Sequence, residues 1–431
     1  MASRAIEAEV DRLIDERPGR ELLDPVYDEK AVEVAPGIFR SAGTTASYML
    51  VTSAGRVIVN TGMGWETPHH KHLFDAVCPG PTPYIVTTQG HVDHVGGVGQ
   101  LRGPETRYVA HANNPACQAD DKRLVRFRAR TAMRWFPHLP ARIAAFAKRY
   151  PDAKPFQDEP TPDVMFDDRM RLRAGDLDIE LLHAPGGETI DSLIVWLPQR
   201  RTAIVSNLFG PLFPHFPNFN TLRGDKYRFP VPYMANVDRM RALAPATLIT
   251  GRHLPIEGEE LVDACLARMR GAVEHVHERT LAAMNEGKDA YEIMREASLP
   301  AELRVGQGYG KVAWAARTFF EEYTGWFRRR STAELYGCDP ADTEALLARL
   351  AGADAVVAEA EALLARGDAP GAIRLAEAAL ATSEGNARAA RVMLGAHEHL
   401  LANGGDESFW ESGWLRHEAE RWRRAVESDG R

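Results

Sequence analysis

The chain has 431 residues, of which 45% are hydrophobic and 26% are charged, and its formal net charge is −8. This length accommodates two or three domains with hydrophobic cores, and the composition is ordinary for a globular protein. The negative balance disfavours nucleic-acid binding, and four scattered cysteines without a CxxC pair disfavour a thiolate zinc site or a disulfide framework.

The N-terminal segment, MASRAIEAEVDRLIDERPG, predicts a short polar helix that ends at Pro18-Gly19. It mixes both charge signs and lacks an apolar stretch, so it differs from a secretory signal. The sequence contains no run of about 18 apolar residues, so we expect no transmembrane span. A cytoplasmic protein is the expectation that follows.

Short runs rich in Val, Ile, Tyr and Thr occupy residues 36–110, separated by Gly and Pro. GIFRSAG, SYMLVTS, GRVIVNTG, PYIVTTQG and TRYVAHA have the composition of strands. The segment HHKHLFDAVCPG, which connects two of them, has the length of a helix. Strands that alternate with helices predict an α/β domain.

A basic helical segment follows at residues 122–149, with nine Lys or Arg and no acidic residue. It contains Trp135 and Phe136 and is interrupted by Pro137 and Pro140. Two interpretations stay open. The segment is either an amphipathic insert with a solvated basic face or a lid over a pocket that receives an anion with an apolar tail.

Further strand patterns follow the insert, DVMFDDRMRLRAGDLDIELLHAPG and DSLIVWLPQRRTAIVSN, and ATLITGRHLP ends the α/β region. The loop at residues 209–225 is rich in Pro, Phe and Asn and is too apolar for a plain linker. From about residue 257 the pattern is helical, and residues 355–402 predict a helix hairpin of the tetratricopeptide type. Because only one such unit is visible, we do not expect a solenoid.

The stretch TTQGHVDHVGG, residues 87–97, carries a pattern that suits a metal. An apolar strand runs out at Gln89, and the loop behind it holds His91, Asp93 and His94. Imidazole and carboxylate groups bind zinc, iron or manganese. Alternate residues of an extended segment share one face, so this loop can present ligands to two neighbouring metal positions.

This stretch resembles the HxHxDH signature of the metallo-β-lactamase superfamily, with Gln89 in place of the first histidine. The resemblance implies an αβ/βα sandwich with a dinuclear metal site along one edge. LLHAPGGET is similar to a loop of the alkylsulfatase branch and implies Glu188 as a ligand. VSN stands where that branch has AEN, so Ser206 replaces a bridging glutamate, and ITGRHLP implies His253 as the last ligand.

The segment NFNTLRG also resembles the alkylsulfatases, where the corresponding loop contacts the sulfate. The resemblance implies that Asn218, Thr221 and Arg223 bind the substrate. The chemistry agrees with this assignment, because a guanidinium group binds a tetrahedral oxyanion through paired, charge-assisted hydrogen bonds.

The segment GQGYGKVAWAARTFFEEYTGWF, residues 306–327, resembles the start of the helical dimerisation domain of the same branch. The resemblance implies Tyr309 as a catalytic residue, together with Asp93. Trp314 departs from the pattern, because the family has a histidine at this place.

The substitutions affect the two metal positions unequally. The first position would consist of Gln89, His91 and Glu188. An amide oxygen is a weaker ligand than imidazole, and the loss of an anionic bridge removes charge that lets two dications lie close together. The second position would consist of Asp93, His94 and His253, which leaves an open place for water. We therefore expect one tightly bound zinc ion, a weaker or empty first position, and iron or manganese as alternatives.

These features predict a metallo-β-lactamase-like catalytic domain at residues 24–265, including the insert 122–149, and an all-α, tetratricopeptide-like dimerisation domain at residues 266–431. The leading hypothesis is a metal-dependent hydrolase in which metal-activated water cleaves an anionic ester, foremost a sulfate ester. Its partners would be a small anionic substrate with an apolar tail and a second copy of the chain, bound through the helical region. Two alternatives stay open, an iron oxygenase or redox protein of the same fold and a non-catalytic binding protein with a degenerate site.

Overall fold

The computed structural model describes residues 3–153, 156–382 and 386–429. Its strands are β1 Val32–Ala35, β2 Ile38–Ser41, β3 Ser47–Thr52, β4 Gly55–Val59, β5 Tyr84–Val86, β6 Arg107–His111, β7 Val164–Phe166, β8 Arg169–Ala174, β9 Leu177–His183, β10 Leu193–Leu197, β11 Thr202–Ser206, β12 Thr247–Thr250 and β13 Ile256–Glu257.

The helices of these ranges are α1 Arg4–Glu16, α2 Thr67–Val77, α3 Val92–Val95, α4 Val98–Leu101, α5 Asn114–Arg123, α6 Val125–Ala132, α7 Leu139–Arg149, α8 Pro230–Leu243, α9 Glu259–Asn285, α10 Ala290–Glu296, α11 Val312–Thr324, α12 Pro340–Ala351, α13 Ala353–Ala365, α14 Ala369–Leu380, α15 Ala387–Leu400 and α16 Phe409–Asp429. Within the described ranges, no helix is both long enough and apolar enough to cross a lipid bilayer.

The strands form two sheets, and each sheet is built from one continuous part of the chain. Strands β1 to β7 lie side by side in chain order, antiparallel up to β4 and parallel from β4 to β7. Strands β8 to β13 form the second sheet, in which only the β11–β12 pair is parallel. The parallel pairs are connected by helices, as a parallel ladder requires.

The two sheets face each other across a shared hydrophobic core. Val57 and Val86 of the first sheet belong to the same buried cluster as Ile179, Leu181 and Val195 of the second sheet. Full burial of each such side chain stabilises the fold by about 1.5–3 kcal/mol. This cluster is therefore the centre of a sandwich.

Helices cover the outer face of each sheet. Phe74 of α2 packs with Ile58 and Ile85 on the outer face of the first sheet. Helices α1, α8, α9 and α11 share a cluster with the outer face of the second sheet, to which α1 contributes Val10 and α11 contributes Phe319. The predicted αβ/βα sandwich and the predicted N-terminal helix are both confirmed.

The chain divides into two compact units. The first contains the chain up to Thr131 and the range Pro137–Glu322, and the second contains Ala132–Phe136 and the chain from Tyr323 onward. The predicted division after residue 265 falls inside α9, whose apolar face belongs to the core of the first unit. A helix that covers the sheet with its buried face folds with that sheet, so the compact units divide further along the chain.

The second unit is a helical region with a core of small side chains. Ala360 of α13, Ala376 of α14 and Met393 of α15 lie in one buried cluster. Small residues let neighbouring helix backbones approach closely, which favours a compact helical hairpin. The predicted helical region behind the sandwich is confirmed.

The basic insert is helical, and its helix α7 is anchored in the first unit. Phe146 of α7 packs edge-on against Tyr27, with 4.6 Å between ring centroids, and against Trp65 at 5.2 Å. The guanidinium of Arg142 lies 5.6 Å from the centre of the Tyr27 ring. In contrast, α6 has no buried residue, and Phe127 on this helix is 45% exposed.

Candidate metal centre and anion site

The loop behind β5 is held in place by an asparagine with an unusual backbone. Asn60 follows β4 with a φ of 60°, a region that Asn tolerates better than most residues. Its Oδ1 accepts hydrogen bonds from the backbone N of Thr88 at 2.8 Å and from the Thr88 hydroxyl at 3.1 Å. Its Nδ2 donates to Ser206 Oγ at 3.2 Å. Asn60 thereby ties the ends of β4, β5 and β11 to each other.

A glycine allows the helices behind the metal loop to pack closely. A Cβ on Gly97 would lie 1.8 Å from Thr67 Oγ1 in α2, so no larger residue fits. The Gly97 backbone N instead donates to Thr61 Oγ1 at 3.0 Å. The close packing keeps His91, Asp93 and His94 at the edge of the sandwich.

The structure brings together the three residues predicted for the first metal position. All three side chains are buried. Gln89 Nε2 lies 2.8 Å from His91 Nδ1, and Glu188 Oε1 lies 3.9 Å from the same nitrogen. Glu188 comes from the loop behind β9, so this position combines residues from both sheets. Because the oxygen and nitrogen of an amide are nearly equivalent in shape, Gln89 can present either atom to this point.

Two charged residues that the sequence did not indicate surround this first position. Asp225 Oδ2 lies 3.2 Å from His91 Nε2. Arg228 Nη1 lies 2.8 Å from Glu188 Oε2, and both side chains are 4% exposed. Burial raises the pKa of Glu188, and the charges of Arg228 and His91 oppose that rise. Burial also favours a higher pKa for Asp225, but its hydrogen bond with His91 and the charges of His91, Arg223 and Arg228 hold the pKa far below the ordinary value.

The second metal position contains Asp93 and His94. Asp93 Oδ2 lies 3.8 Å from His94 Nε2, and the Thr45 hydroxyl donates to the same carboxylate oxygen. Asn207 Nδ2 lies 3.2 Å from His94 Nε2. Burial works against ionisation of Asp93, yet His94, His91 and the Thr45 hydroxyl lower its pKa to about 2. Burial lowers the pKa of His94 to about 4, so the ring is neutral and able to bind a metal at neutral pH.

The structure does not bring His253 to this position. Its Nδ1 lies 2.9 Å from the carbonyl oxygen of Phe213, and its Nε2 lies 2.5 Å from that of Pro18. Both ring nitrogens therefore face backbone oxygens rather than Asp93 and His94. Of the three residues expected at the second position, the structure brings Asp93 and His94 together, and His253 faces away from them. The neighbouring Arg252 contributes positive charge near Asp93 instead, and its Nη1 donates to the carbonyl oxygens of Leu22 and Gly43.

Ser206, at which the resemblance implies the loss of a bridging glutamate, supports the backbone in this structure. Its hydroxyl accepts the hydrogen bond from Asn60, and its backbone φ is 47°. It therefore supports the strand ends and brings no negative charge to the metal positions.

The donors present nevertheless fit a divalent cation. Within the described ranges, no group of three His, Cys, Asp or Glu side chains is arranged to hold a metal ion, so the amide of Gln89 has to complete any set of three. Bonds of about 2.0–2.2 Å to a shared ion place two ligand atoms no more than about 4.4 Å apart. The 3.9 Å between His91 and Glu188, with Gln89 beside them, meets this condition, and so does the 3.8 Å between Asp93 and His94. In this structure the first position gathers three side chains and the second gathers two.

The predicted anion-binding residues lie beside the first metal position. Arg228 connects them to it, because its Nε donates to the carbonyl oxygen of Glu188 at 3.0 Å and its Nη1 to that of Asn218 at 2.8 Å. Asn218 Nδ2, Thr221 Oγ1 and Arg228 Nη2 are buried without a hydrogen-bond partner among the described residues. Arg223 Nη2 lies 3.2 Å from Asp225 Oδ2.

Tyr309 belongs to the same group. Gly310 next to it packs so closely that an added Cβ would lie 2.1 Å from the carbonyl oxygen of Pro217. Burial and the charge of Glu188 raise the pKa of Tyr309 to about 12, while Arg228 and Arg223 oppose the rise. The phenol therefore keeps its proton at neutral pH.

A small cleft of about 70 Å³ opens at the first metal position. His91 and Glu188 lie at its floor, and Ile190, Tyr227 and Phe229 line its wall. These three apolar side chains are between 41% and 42% exposed. The cleft thus combines a polar floor with an apolar wall.

The insert reaches the edge of this region through α6. The Phe127 ring lies against Gly224, where an added Cβ would be 2.8 Å from the ring. Arg128 Nη2 lies 3.4 Å from Asp225 Oδ1, and Arg128 also pairs with Asp121. Of the two interpretations of the insert, these contacts favour the lid.

Two family models match the sequence. The model of the metallo-beta-lactamase superfamily matches residues 40–252, and the model of alkyl sulfatase dimerisation matches residues 289–421. The two segments follow each other in the same order as the sandwich and the helical region.

Curated relatives are named as alkylsulfatases. The chain is 30% identical over 214 residues to a linear primary-alkylsulfatase from Pseudomonas sp. (strain ATCC 19151). The matched segment covers 48% of this chain and 39% of that protein. It is 26% identical over 208 residues to an alkyl/aryl-sulfatase from Saccharomyces cerevisiae, and this match covers 46% of this chain and 32% of that protein. It is 26% identical over 233 residues to an (R)-specific secondary-alkylsulfatase from Pseudomonas sp., and this match covers 52% of this chain and 34% of that protein. The matched part spans about two fifths or less of each relative.

A solved structure supports the fold over nearly the whole chain. The stereoselective inverting sec-alkylsulfatase Pisa1 from Pseudomonas sp. has a TM-score of 0.78 at 18% identity, and the match covers 99% of this chain and 78% of that one. At this identity the likeness establishes the fold alone.

Proposed function

Because this chain belongs to the metallo-β-lactamase superfamily and carries an alkyl sulfatase dimerisation region, we propose that it is a hydrolase of sulfate esters. One observation carries the proposal. Asn218 Nδ2, Thr221 Oγ1 and Arg228 Nη2 are buried beside Glu188 without a partner among the described residues. An unsatisfied buried polar group costs about 1–3 kcal/mol. A tetrahedral anion with several acceptor oxygens satisfies such a group of donors.

The substrate class follows from the cleft and from the names of the relatives. Arg223 and Arg228 supply positive charge for a sulfate group, and Ile190, Tyr227 and Phe229 offer an apolar wall to the alkyl chain. The curated relatives are named as primary, secondary and alkyl/aryl sulfatases. An alkyl sulfate with a chain of several carbons is the substrate that this combination favours.

The superfamily implies a divalent metal, and zinc is the ion that we assign to this chain. Gln89, His91 and Glu188 would hold it, and Asp93 and His94 would hold a second, weaker ion. Iron and manganese suit the same oxygen and nitrogen donors. A bound zinc ion supplies a Lewis acid that lowers the pKa of a water molecule and polarises an ester oxygen.

The residues of the chain itself bind, orient and exchange protons. The guanidinium groups of Arg223 and Arg228 orient the sulfate through charge-assisted hydrogen bonds. Asp93, with a pKa of about 2, stays ionised and is available as a hydrogen-bond acceptor for water. Tyr309, with a pKa of about 12, stays protonated and can donate its proton to an ester oxygen.

A second candidate is a protein that binds the same anion without cleaving it. Two observations favour it. Both ring nitrogens of His253 face backbone carbonyl oxygens, and the neutral side chain of Ser206 stands where the resemblance implies a bridging carboxylate. In that case the donors around Arg228 would still hold an organic sulfate.

The test combines metal content with turnover. The protein is purified without added metal, its metals are measured by elemental analysis before and after zinc addition, and the release of inorganic sulfate from decyl sulfate is followed. We expect at least one zinc ion per chain, loss of that ion in His91→Ala, and sulfate release that Arg223→Met reduces by more than tenfold.

The control is Arg239→Met, which removes an arginine that donates to the carbonyl oxygen of His183 at 2.6 Å and lies 3.8 Å from Asp168. This variant should keep both zinc and turnover. Binding of decyl sulfate without release would support the binding protein instead. Iron in the purified protein would favour the oxygenase or redox alternative, and a chain that neither binds decyl sulfate nor holds metal would refute the hydrolase.

A further inference from the structure

Asp225 connects the metal position to the anion site through a single carboxylate. Its Oδ2 lies 3.2 Å from His91 Nε2 and 3.2 Å from Arg223 Nη2. Its Oδ1 lies 3.4 Å from Arg128 Nη2, and the Asp225 side chain is only 17% exposed. Asp225 directly follows the loop 218–224. Its contact with His91 joins two residues that are more than 130 positions apart in the sequence.

The contact fixes which nitrogen of His91 is free to bind a metal. A carboxylate oxygen accepts a hydrogen bond and cannot donate one while it is ionised, so the proton of a neutral His91 ring belongs on Nε2. The lone pair is then on Nδ1. This is the nitrogen that faces Gln89 at 2.8 Å and Glu188 at 3.9 Å. The tautomer that Asp225 selects is therefore the one that the first metal position needs.

The same carboxylate restrains the anion-binding arginine. The Arg223 guanidinium pairs with Asp225, with its Nη2 3.2 Å from Asp225 Oδ2. Arg128 from α6 approaches the other oxygen, so the carboxylate also holds the insert next to the loop 218–224. A carboxylate that contacts His91 and Arg223 through one oxygen and Arg128 through the other sets the relative positions of these three side chains.

We propose that Asp225 is a positioning residue that orients His91 toward the metal and Arg223 toward the sulfate group. This inference rests on the proposed function, since it assigns a role within the same site. Histidine ligands generally require such a partner on the second ring nitrogen, and its loss weakens metal binding by about 10–100-fold.

The experiment measures zinc affinity in the absence of substrate. Apo-protein is titrated with zinc in competition with a chromophoric chelator, for the wild-type chain and for Asp225→Ala, Asp225→Asn and Asp263→Ala. Asp263→Ala is the matched control, because Asp263 also pairs with an arginine, Arg241 at 2.7 Å, but contacts no histidine. Circular dichroism and the melting temperature verify that each variant is folded.

We expect Asp225→Ala to weaken zinc binding by about 10–100-fold while Asp263→Ala leaves it unchanged. Asp225→Asn keeps one acceptor oxygen and should recover part of the affinity, which a purely structural role would not predict. Equal zinc affinity in wild type and Asp225→Ala would overturn the proposal, and so would a folded wild-type chain that binds no zinc.

The turnover assay separates this proposal from the proposed function. With saturating zinc, we expect Asp225→Ala to raise the KM for decyl sulfate by about tenfold or more, because Arg223 loses its restraint. If the wild-type chain binds zinc but releases no sulfate, the hydrolase assignment fails while the zinc titration still decides the role of Asp225.

Discussion

Arg228 and Glu188 form a buried ion pair at the floor of the cleft, and both side chains are 4% exposed. Removing one partner of such a pair leaves an uncompensated charge away from water. We expect Arg228→Met to lower the free energy of unfolding by about 3–5 kcal/mol, as measured by urea denaturation at neutral pH. Arg241→Met breaks the more exposed pair with Asp263 and should cost about 1 kcal/mol or less. Equal losses in the two variants would show that burial does not set the strength of the Glu188 pair.

The stability of the sandwich depends on pH because the side chain of His70 is buried. Its Nδ1 lies 2.7 Å from Ser41 Oγ, and burial, followed by the charge of His69, lowers its pKa to about 3. Below the ordinary pKa of about 6.5, the unfolded state binds a proton that the folded state does not. The contribution of His70 is therefore complete above this pH and decreases by up to about 1.4 kcal/mol per pH unit as the pH falls toward 3.

The measurement compares urea denaturation of His70→Gln and wild type at pH 7, 6 and 5. We expect the stability difference between the two to shrink as the pH falls. A difference for His70→Gln that stays constant with pH would contradict the prediction.

At the residue scale, the sequence predicted contacts that are local or that belong to a known motif. Gln89, His91, Asp93 and His94 share one short loop, so the strand in front of them was enough to place them together. Asp225 could not be predicted as a partner of His91, because its contact depends on how two sheets pack. A signal was present, since Asp225 directly follows the loop NFNTLRG. The orientation of His253 depends on the carbonyl oxygens of Pro18 and Phe213, which no motif specifies.

Among the structural elements, the segment in front of α11 supports the loop 218–224, here called the anion loop, through backbone contacts. Gly310 N donates to the carbonyl oxygen of Phe216 at 3.0 Å, and a Cβ at Gly310 would lie 2.1 Å from the carbonyl oxygen of Pro217. We expect Gly310→Ala to displace Asn218, to raise the KM for decyl sulfate by about tenfold and to lower stability by about 1–3 kcal/mol.

The control for this substitution is Gly103→Ala, where the nearest atom to an added Cβ, Thr106 Oγ1, is 3.5 Å away. Steady-state kinetics and thermal denaturation of both variants test the prediction. If Gly310→Ala retained the wild-type KM, the anion loop would tolerate the displacement and Asn218 would not contact the sulfate group.

Element types could be predicted from the sequence because each depends on a local pattern. Alternating Val, Ile and Tyr identified the strands around the metal loop, and the 3.6-residue period identified the helices. The placement of α9 could not be predicted in this way. An amphipathic helix reveals that one face is covered but not by which partner, and α9 turned out to cover the second sheet.

At the scale of the whole molecule, the second unit carries an exposed apolar helix face. Leu347 and Leu350 of α12 are 59% and 75% exposed, and the dimerisation model matches the range that contains them. We expect the chain to form a homodimer, and Leu347→Glu combined with Leu350→Glu to shift it to a monomer by placing charges in an apolar contact.

Light scattering after size exclusion, at micromolar protein concentration, measures this change. Leu254→Glu alters a similarly exposed leucine of the first unit, 60% exposed, and should leave the dimer intact. A monomeric wild-type chain would contradict the expected assembly, and a dimeric double variant would place the contact elsewhere.

The order of the strands determines when the candidate metal ligands become available during synthesis. Strands β1 to β7 use only the chain up to Phe166, so the first sheet can assemble on the ribosome from neighbouring segments. A nascent chain of that length already has His91, Asp93 and His94, but neither Glu188 nor Asp225 has been translated. The growing polypeptide therefore carries an incomplete set of candidate ligands until residue 225 has been translated, and the proposed first position can select its metal only from that point onward.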